Sequence, residues 1–104
     1  MKVQINTDSS IDKSSEQAQR LEGLIRKELR RFDEHITRVE VHLSDVNKQK
    51  GGSDDKRCLI EARFSGSAPL AVSHQAGSIQ LAFEGATEKL KRALDGAVER
   101  RRSY

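Results

Sequence analysis

Polar and apolar residues alternate at the start of the chain. In residues 2–6 (KVQIN), Val3 and Ile5 stand between polar neighbours, which predicts a short first strand. Residues 7–13 are polar apart from Ile11 and read as a loop. Ser14 or Ser15 can then accept a bond from the free N–H groups of a following helix. From residue 16 to about residue 32 the period changes. Ala18, Leu21, Leu24, Ile25, Leu29 and Phe32 recur in steps of three and four, the mark of an amphipathic helix that stops near residues 33–35. Residues 36–46 alternate again, with Val39, Val41 and Leu43 on one side and Arg38, Glu40 and His42 on the other.

Residues 47–55 (NKQKGGSDD) contain no apolar side chain and read as a long, flexible hairpin connection. Cys58, Ile60, Ala62 and Phe64 alternate with Arg57, Glu61 and Arg63 in a third strand, in which Leu59 breaks the pattern. Residues 65–69 (SGSAP) turn the chain. Leu70, Val72, His74 and Ala76 form the inner side of a fourth strand, with Pro69 at its start, where a missing N–H is tolerated. Ser78 caps a second helix, whose stripe is Ile79, Phe83, Ala86, Leu90, Leu94 and Ala97.

The predicted order is β-α-β-β-β-α, an α+β fold. The helical crossover makes the first two strands parallel and the hairpins make the rest antiparallel. Each helix has one apolar stripe, so both pack on one face of a four-stranded sheet. The other face, with Gln4, Glu40, His42, Arg57, Glu61 and Arg63, stays wet. Residues 1–104 are expected to form a single domain.

The chain has 104 residues, 35% of them apolar, and no apolar run near the ~18 residues of a membrane span. Its first ten residues lack the apolar core of a secretion signal. Its single cysteine, Cys58, cannot form an internal disulfide, which fits the cytoplasm. The expectation is a cytoplasmic protein without membrane partners.

Little in the chain suggests catalysis. His35, His42 and His74 lie in no zinc or triad spacing. A metal site from Asp54, Asp55, Cys58 and a histidine competes with a simpler reading, a polar turn followed by a core thiol. The serine pairs lack a strand-turn-helix elbow, and Gly51-Gly52 lacks the ending of a phosphate loop. We expect no catalytic residues, metal, cofactor or small-molecule substrate.

Charge is more informative by position than in sum. Nineteen basic against sixteen acidic residues leave only +3. On a helical wheel of the second helix, Lys89, Arg92 and Arg100 share one flank with Ser78, Gly85 and Gly96. Glu84, Glu88, Asp95 and Glu99 gather near the opposite side. Small residues between cations would admit a phosphate backbone closely. The competing account is a solvated helix with pairs such as Glu88–Arg92. On the first helix, Arg26 and Arg30 share a flank beside Gln19 and Gly23, with Arg20, Lys27 and Arg31 further round. Two such flanks would form a basic groove suited to folded RNA, read by shape and charge. The scarcity of exposed aromatics disfavours reading of single strands. A general RNA-binding module and a protein-interaction domain remain open on these residues.

Three stretches carry a resemblance: MKVQINTDSSI at residues 1–11, RFDEHITRVEVHL at 31–43, and LAVSHQAGSIQLAFEGATEKLKRAL at 70–94. In order and spacing they resemble the ribosome hibernation promoting factor / ribosome-associated inhibitor family in its short form. The resemblance implies a β-α-β-β-β-α fold. It also implies binding to small-subunit ribosomal RNA at the decoding region, block of translation, and preservation of idle ribosomes under stress. It places RNA contacts at Lys89 and Arg92, with Lys91 and residues 100–102 as further candidates. The short form is expected to lack the dimerising extension of the long form, and a monomer is the default expectation. Where the family usually has Asp-x-Tyr, this chain has Ser78-Ile79-Gln80.

Overall fold

The computed structural model describes residues 1–7, 15–45, 56–64, 66 and 68–102, with the side chains of residue 15 and of 99–102 outside that set. The predicted connection at 47–55 therefore lies outside the described residues.

The described elements follow the predicted order. They are β1 (Lys2–Thr7), α1 (Ser15–Glu28), β2 (Ile36–Asp45), β3 (Lys56–Phe64), β4 (Leu70–Ala76) and α2 (Ile79–Arg102). The sheet order is β1-β2-β3-β4. β1 pairs parallel to β2, and β2–β3 and β3–β4 are antiparallel. β1 and β4 are thus the edges. Both helices run opposite to β1, β2 and β4, and so in the same sense as each other. α1 rests over β1, whereas α2 covers β3 and β4, and the two helices touch only lightly.

Alternation built the core as expected. Val39, Val41 and Leu43 of β2 and Cys58, Ile60 and Ala62 of β3 are buried against Leu21 and Ile25 of α1, Leu29 just beyond it, and Phe83, Leu90 and Leu94 of α2. Ser78 caps α2 as predicted. Its Oγ accepts from the Leu81 N–H at 3.1 Å, and its carbonyl accepts from the Ala82 N–H at 3.0 Å.

Two local departures have clear causes. The first helix ends at Glu28 rather than near Phe32. Leu29 leaves the helical region (φ −103°, ψ 12°), and Arg30–Phe32 form a tighter 3₁₀ turn. The Phe32 N–H bonds to the Leu29 carbonyl three residues back at 2.9 Å, which winds the ring into the core. At the start of β2 a bulge shifts the register, so that Ile36 faces Phe64 while Arg38 faces Arg63. Strict alternation would put Ile36 on the wet face with Arg38. The inserted Thr37, whose hydroxyl donates to the Arg63 carbonyl at 3.2 Å, turns Ile36 inward instead.

The wet face carries a chain of polar contacts across three strands. Arg38 reaches the side-chain oxygen of Gln4, and the Gln4 amide donates to Asn6 Oδ1 at 2.9 Å. Asn6 Nδ2 lies 3.4 Å from His42 Nδ1, and His42 Nε2 lies 3.3 Å from Glu61 Oε1. Glu40 lies 3.5 Å from Arg38. Leu59 shares this face by register with His42 and Ser73, which accounts for its break in the β3 pattern.

Candidate nucleic-acid interface

Of the six cations expected to meet RNA, the five whose side chains are described do not line one groove. Arg26, on the outer flank of α1, pairs with Glu22 at 3.1 Å and donates to the Met1 carbonyl at 3.0 Å. Lys89, on the outer flank of α2, donates to the Ser73 carbonyl of β4 at 2.8 Å. These two side chains therefore lean toward opposite edges of the sheet. Three strand spacings, about 14 Å, separate those edges. Arg30 is exposed in the 3₁₀ turn and has no ion pair among the described residues.

Arg92 stands out from α2, its side chain 78% exposed and 3.5 Å from Glu88. This is the i,i+4 pair that the competing account anticipated. Lys91 points the other way and pairs with Glu28 of α1 at 3.0 Å. The side chain of Arg100 lies outside the described residues.

The space between the helices is acidic, which corrects the expected basic groove. Glu28, Glu84 and Glu88 line an inter-helix cleft of about 300 Å³. The separation of cations from acids on α2 is incomplete, since Arg92 lies 3.5 Å from Glu88 and Lys91 shares the acidic side. What the wheel lacked was the position of the neighbouring helix. α1 lies beside the acidic side of α2, and the cationic flanks face outward in opposite directions. Two ion pairs close one end of the cleft, Lys91–Glu28 and Arg31–Asp95, the latter at 2.9 Å. Arg31 also lies over the Phe32 ring, 4.5 Å from its centroid. Sequence reasoning missed this zipper, because each cation meets an acid more than sixty residues away.

One small residue of the cationic flank does not open it to a phosphate. Gly85 lies on the Lys89 flank, but it faces the sheet rather than a ligand. A Cβ there would fall 2.1 Å from Cδ2 of His74. The small residue makes room for an imidazole under the helix, not for a phosphate.

Cys58 is fully buried on β3, with its neighbours Leu43 and His74 in register on either side. No group of three or more potential metal ligands occurs among the described residues, and Asp54 and Asp55 lie outside them. Burial pushes the Cys58 thiol up from 9.0 to about 12. The folded state thus holds its proton where the unfolded chain has lost it. Stability from this group is full below pH 9 and is lost as pH rises toward 12. The expected slope is about 1.4 kcal/mol per pH unit at most. Denaturant midpoints of wild type and Cys58→Ala across this range should diverge by that amount, and parallel curves would contradict it.

The family model of the Sigma 54 modulation protein / S30EA ribosomal protein matches residues 9–102. The chain belongs to this family. Two solved structures share the fold of this S30EA-family chain. A ribosomal subunit interface protein from Coxiella burnetii superposes with a TM-score of 0.71 at 19% identity, over 95% of this chain and 99% of that one. The N-terminal domain of Protein Y from Thermus thermophilus gives 0.64 at 16% identity, over 90% and 96%. No curated protein matches the chain. Among the described residues of this S30EA-family member, no helix is long and apolar enough to cross a membrane.

Proposed function

We propose that this chain binds the ribosomal RNA of the small subunit near the decoding region, inhibits translation and promotes ribosome hibernation under stress. The observation that carries the reading is membership of the S30EA family across residues 9–102. The fold shared with a ribosomal subunit interface protein supports it. The action needs no catalysis. Cations displace counterions from RNA phosphates, and the bound domain fills space that mRNA and tRNA would take. The protein works as a cytoplasmic monomer, a single domain that carries its own core.

The outer flank of α2 is the primary contact, formed by Lys89, Arg92 and Arg100. Arg92 gives up little to bind. Its exposed pair with Glu88 contributes at most about 1 kcal/mol, and a phosphate replaces it. Lys89 must leave the Ser73 carbonyl, and its long stem allows that. Lys91 contributes only by releasing Glu28. Arg26 leans toward the β1 edge and Arg30 is exposed in the 3₁₀ turn, so they form a separate, secondary contact rather than the second wall of a groove.

Cosedimentation with small subunits in sucrose gradients across a salt series tests this reading. Wild type should comigrate at moderate salt. The double reversal Lys89→Glu/Arg92→Glu should not, and its residual binding should lose about one unit of salt slope per phosphate contact removed. Comigration of that variant with an unchanged slope would overturn the assignment. Binding to generic duplex RNA without ribosome association would replace it with a general RNA-binding module.

A further inference from the structure

The helix-free face of the sheet carries a charge pattern that folding alone does not favour. Register sets Lys2 of β1 beside Arg38 of β2, and Arg38 beside Arg63 of β3. Three cations thus stand in one row across three strands, about 10 Å from end to end. Like charges directly opposite each other destabilise a sheet. The backbone nevertheless builds the row. Counting on from the Ile36–Phe64 pair, Thr37 would face Arg63, and the bulge at Thr37 puts Arg38 there instead. Carboxylates neutralise the row only in part. In the next row Glu40 lies 3.5 Å from Arg38, while Glu61 lies 3.3 Å from His42. Lys2 and Arg63 are exposed and have no ion pair among the described residues. The row also continues around the β1 edge. A cleft of about 360 Å³ there is lined by Arg38 from the helix-free face and by Arg26 from the flank of α1, with Lys2 between them on β1.

We propose that Lys2, Arg38 and Arg63 form a phosphate-binding surface for structured RNA, joined through this cleft to Arg26. The partner class rests on the RNA-binding function proposed for α2, but the residues are different and lie on the opposite face of the sheet. An open row of this length is too long for one small anion and suits successive phosphates of a polyanion. Arginine presents a planar fork of donors that matches a phosphate. The Gln4 side-chain oxygen accepts from Arg38 and holds its guanidinium toward β1. The row offers a peptide no apolar anchor, since the next row is Gln4, Glu40 and Glu61. Those two carboxylates repel a phosphate chain from the middle of the sheet, so the chain runs across the strands at this end. With α2 engaged as well, the domain sits between two RNA segments.

Amide-shift titration of the isolated protein with a short RNA hairpin tests the proposal, alongside cosedimentation with small subunits. The expected result is saturable shifts at Lys2, Arg38 and Arg63. Arg38→Gln/Arg63→Gln should weaken hairpin binding by about tenfold and lower the salt slope by about two units, one per phosphate contact. Arg63→Gln alone should raise the urea midpoint at low salt, because it relieves repulsion between like charges. A lower midpoint would give Arg63 a structural role and count against the proposal. Shifts confined to the α2 flank, with wild-type affinity in Arg38→Gln/Arg63→Gln, would overturn it and leave the ribosomal reading standing. Shifts at the row that persist in Lys89→Glu/Arg92→Glu, without comigration of wild type with small subunits, would uphold it and remove the ribosomal reading. Absence of hairpin binding, or binding of polyglutamate at the same amides in its place, would overturn it.

Discussion

Replacing Gly85 by alanine should lower the stability of the domain by about 1–3 kcal/mol, the usual cost of forcing a methyl group into a packed interior. Intrinsic helix propensity predicts the opposite, since alanine in a helix interior is favoured over glycine by about 1 kcal/mol. Geometry decides the sign. A Cβ at Gly85 would sit 2.1 Å from Cδ2 and 2.5 Å from both Cγ and Nε2 of His74, so the whole ring must move. That ring rises from β4 on the helix-covered face, with α2 above it. Gly23 of α1 is the internal control. A Cβ there meets nothing within 4 Å, so Gly23→Ala should stabilise where Gly85→Ala destabilises. Combining Gly85→Ala with His74→Ala should recover much of the loss, because the imidazole is the obstacle. Urea midpoints of wild type and the three variants measure this, and a stabilising Gly85→Ala would show that His74 turns aside freely.

Gly85 also illustrates what the sequence conveys and where it stops. Alternation in β2 and β3 and the stripes of both helices are local patterns, produced by each element's own period against one buried face. Strand order, parallel and antiparallel pairing and the Ser78 cap were legible for that reason. The bulge at Thr37 and the 3₁₀ turn at Arg30–Phe32 were not, because they arise where tertiary packing of Ile36 and Phe32 overrides the local period. The interface suffers most from this limit. A wheel assigns each charge an angle around its own helix, but the character of a groove depends on which flanks two helices turn toward each other. That Lys89 and Glu84 stand on different sides of α2 was readable. That α1 lies on the acidic side was not, and it converts a supposed cationic groove into an acidic cleft with cations outside it.

Truncation of the core should have the largest effect on stability, and Cys58 supplies the means to read it. Leu90→Ala should cost about 2–5 kcal/mol, since the fully buried side chain leaves a cavity that α2 and the sheet can close only in part. For a domain whose whole stability is about 5–15 kcal/mol, that is a large share. The Cys58 thiol faces the same core from β3, fully buried and pushed up to about 12, so it is inert toward alkylating reagents until the structure opens. β3 is held on both sides, by β2 and by β4. If exposing the thiol requires global unfolding, its labelling rate follows the unfolded population. Leu90→Ala should then accelerate labelling at pH 7.5 by a factor on the order of 30 to several thousand. A second outcome would identify a different opening. β4 is an edge strand, and its peeling alone would uncover Cys58 while leaving α1 and β2 in place. Labelling would then respond far less to Leu90→Ala than the denaturant midpoint does, and Lys89→Met, which removes the bond to the Ser73 carbonyl, would accelerate it instead.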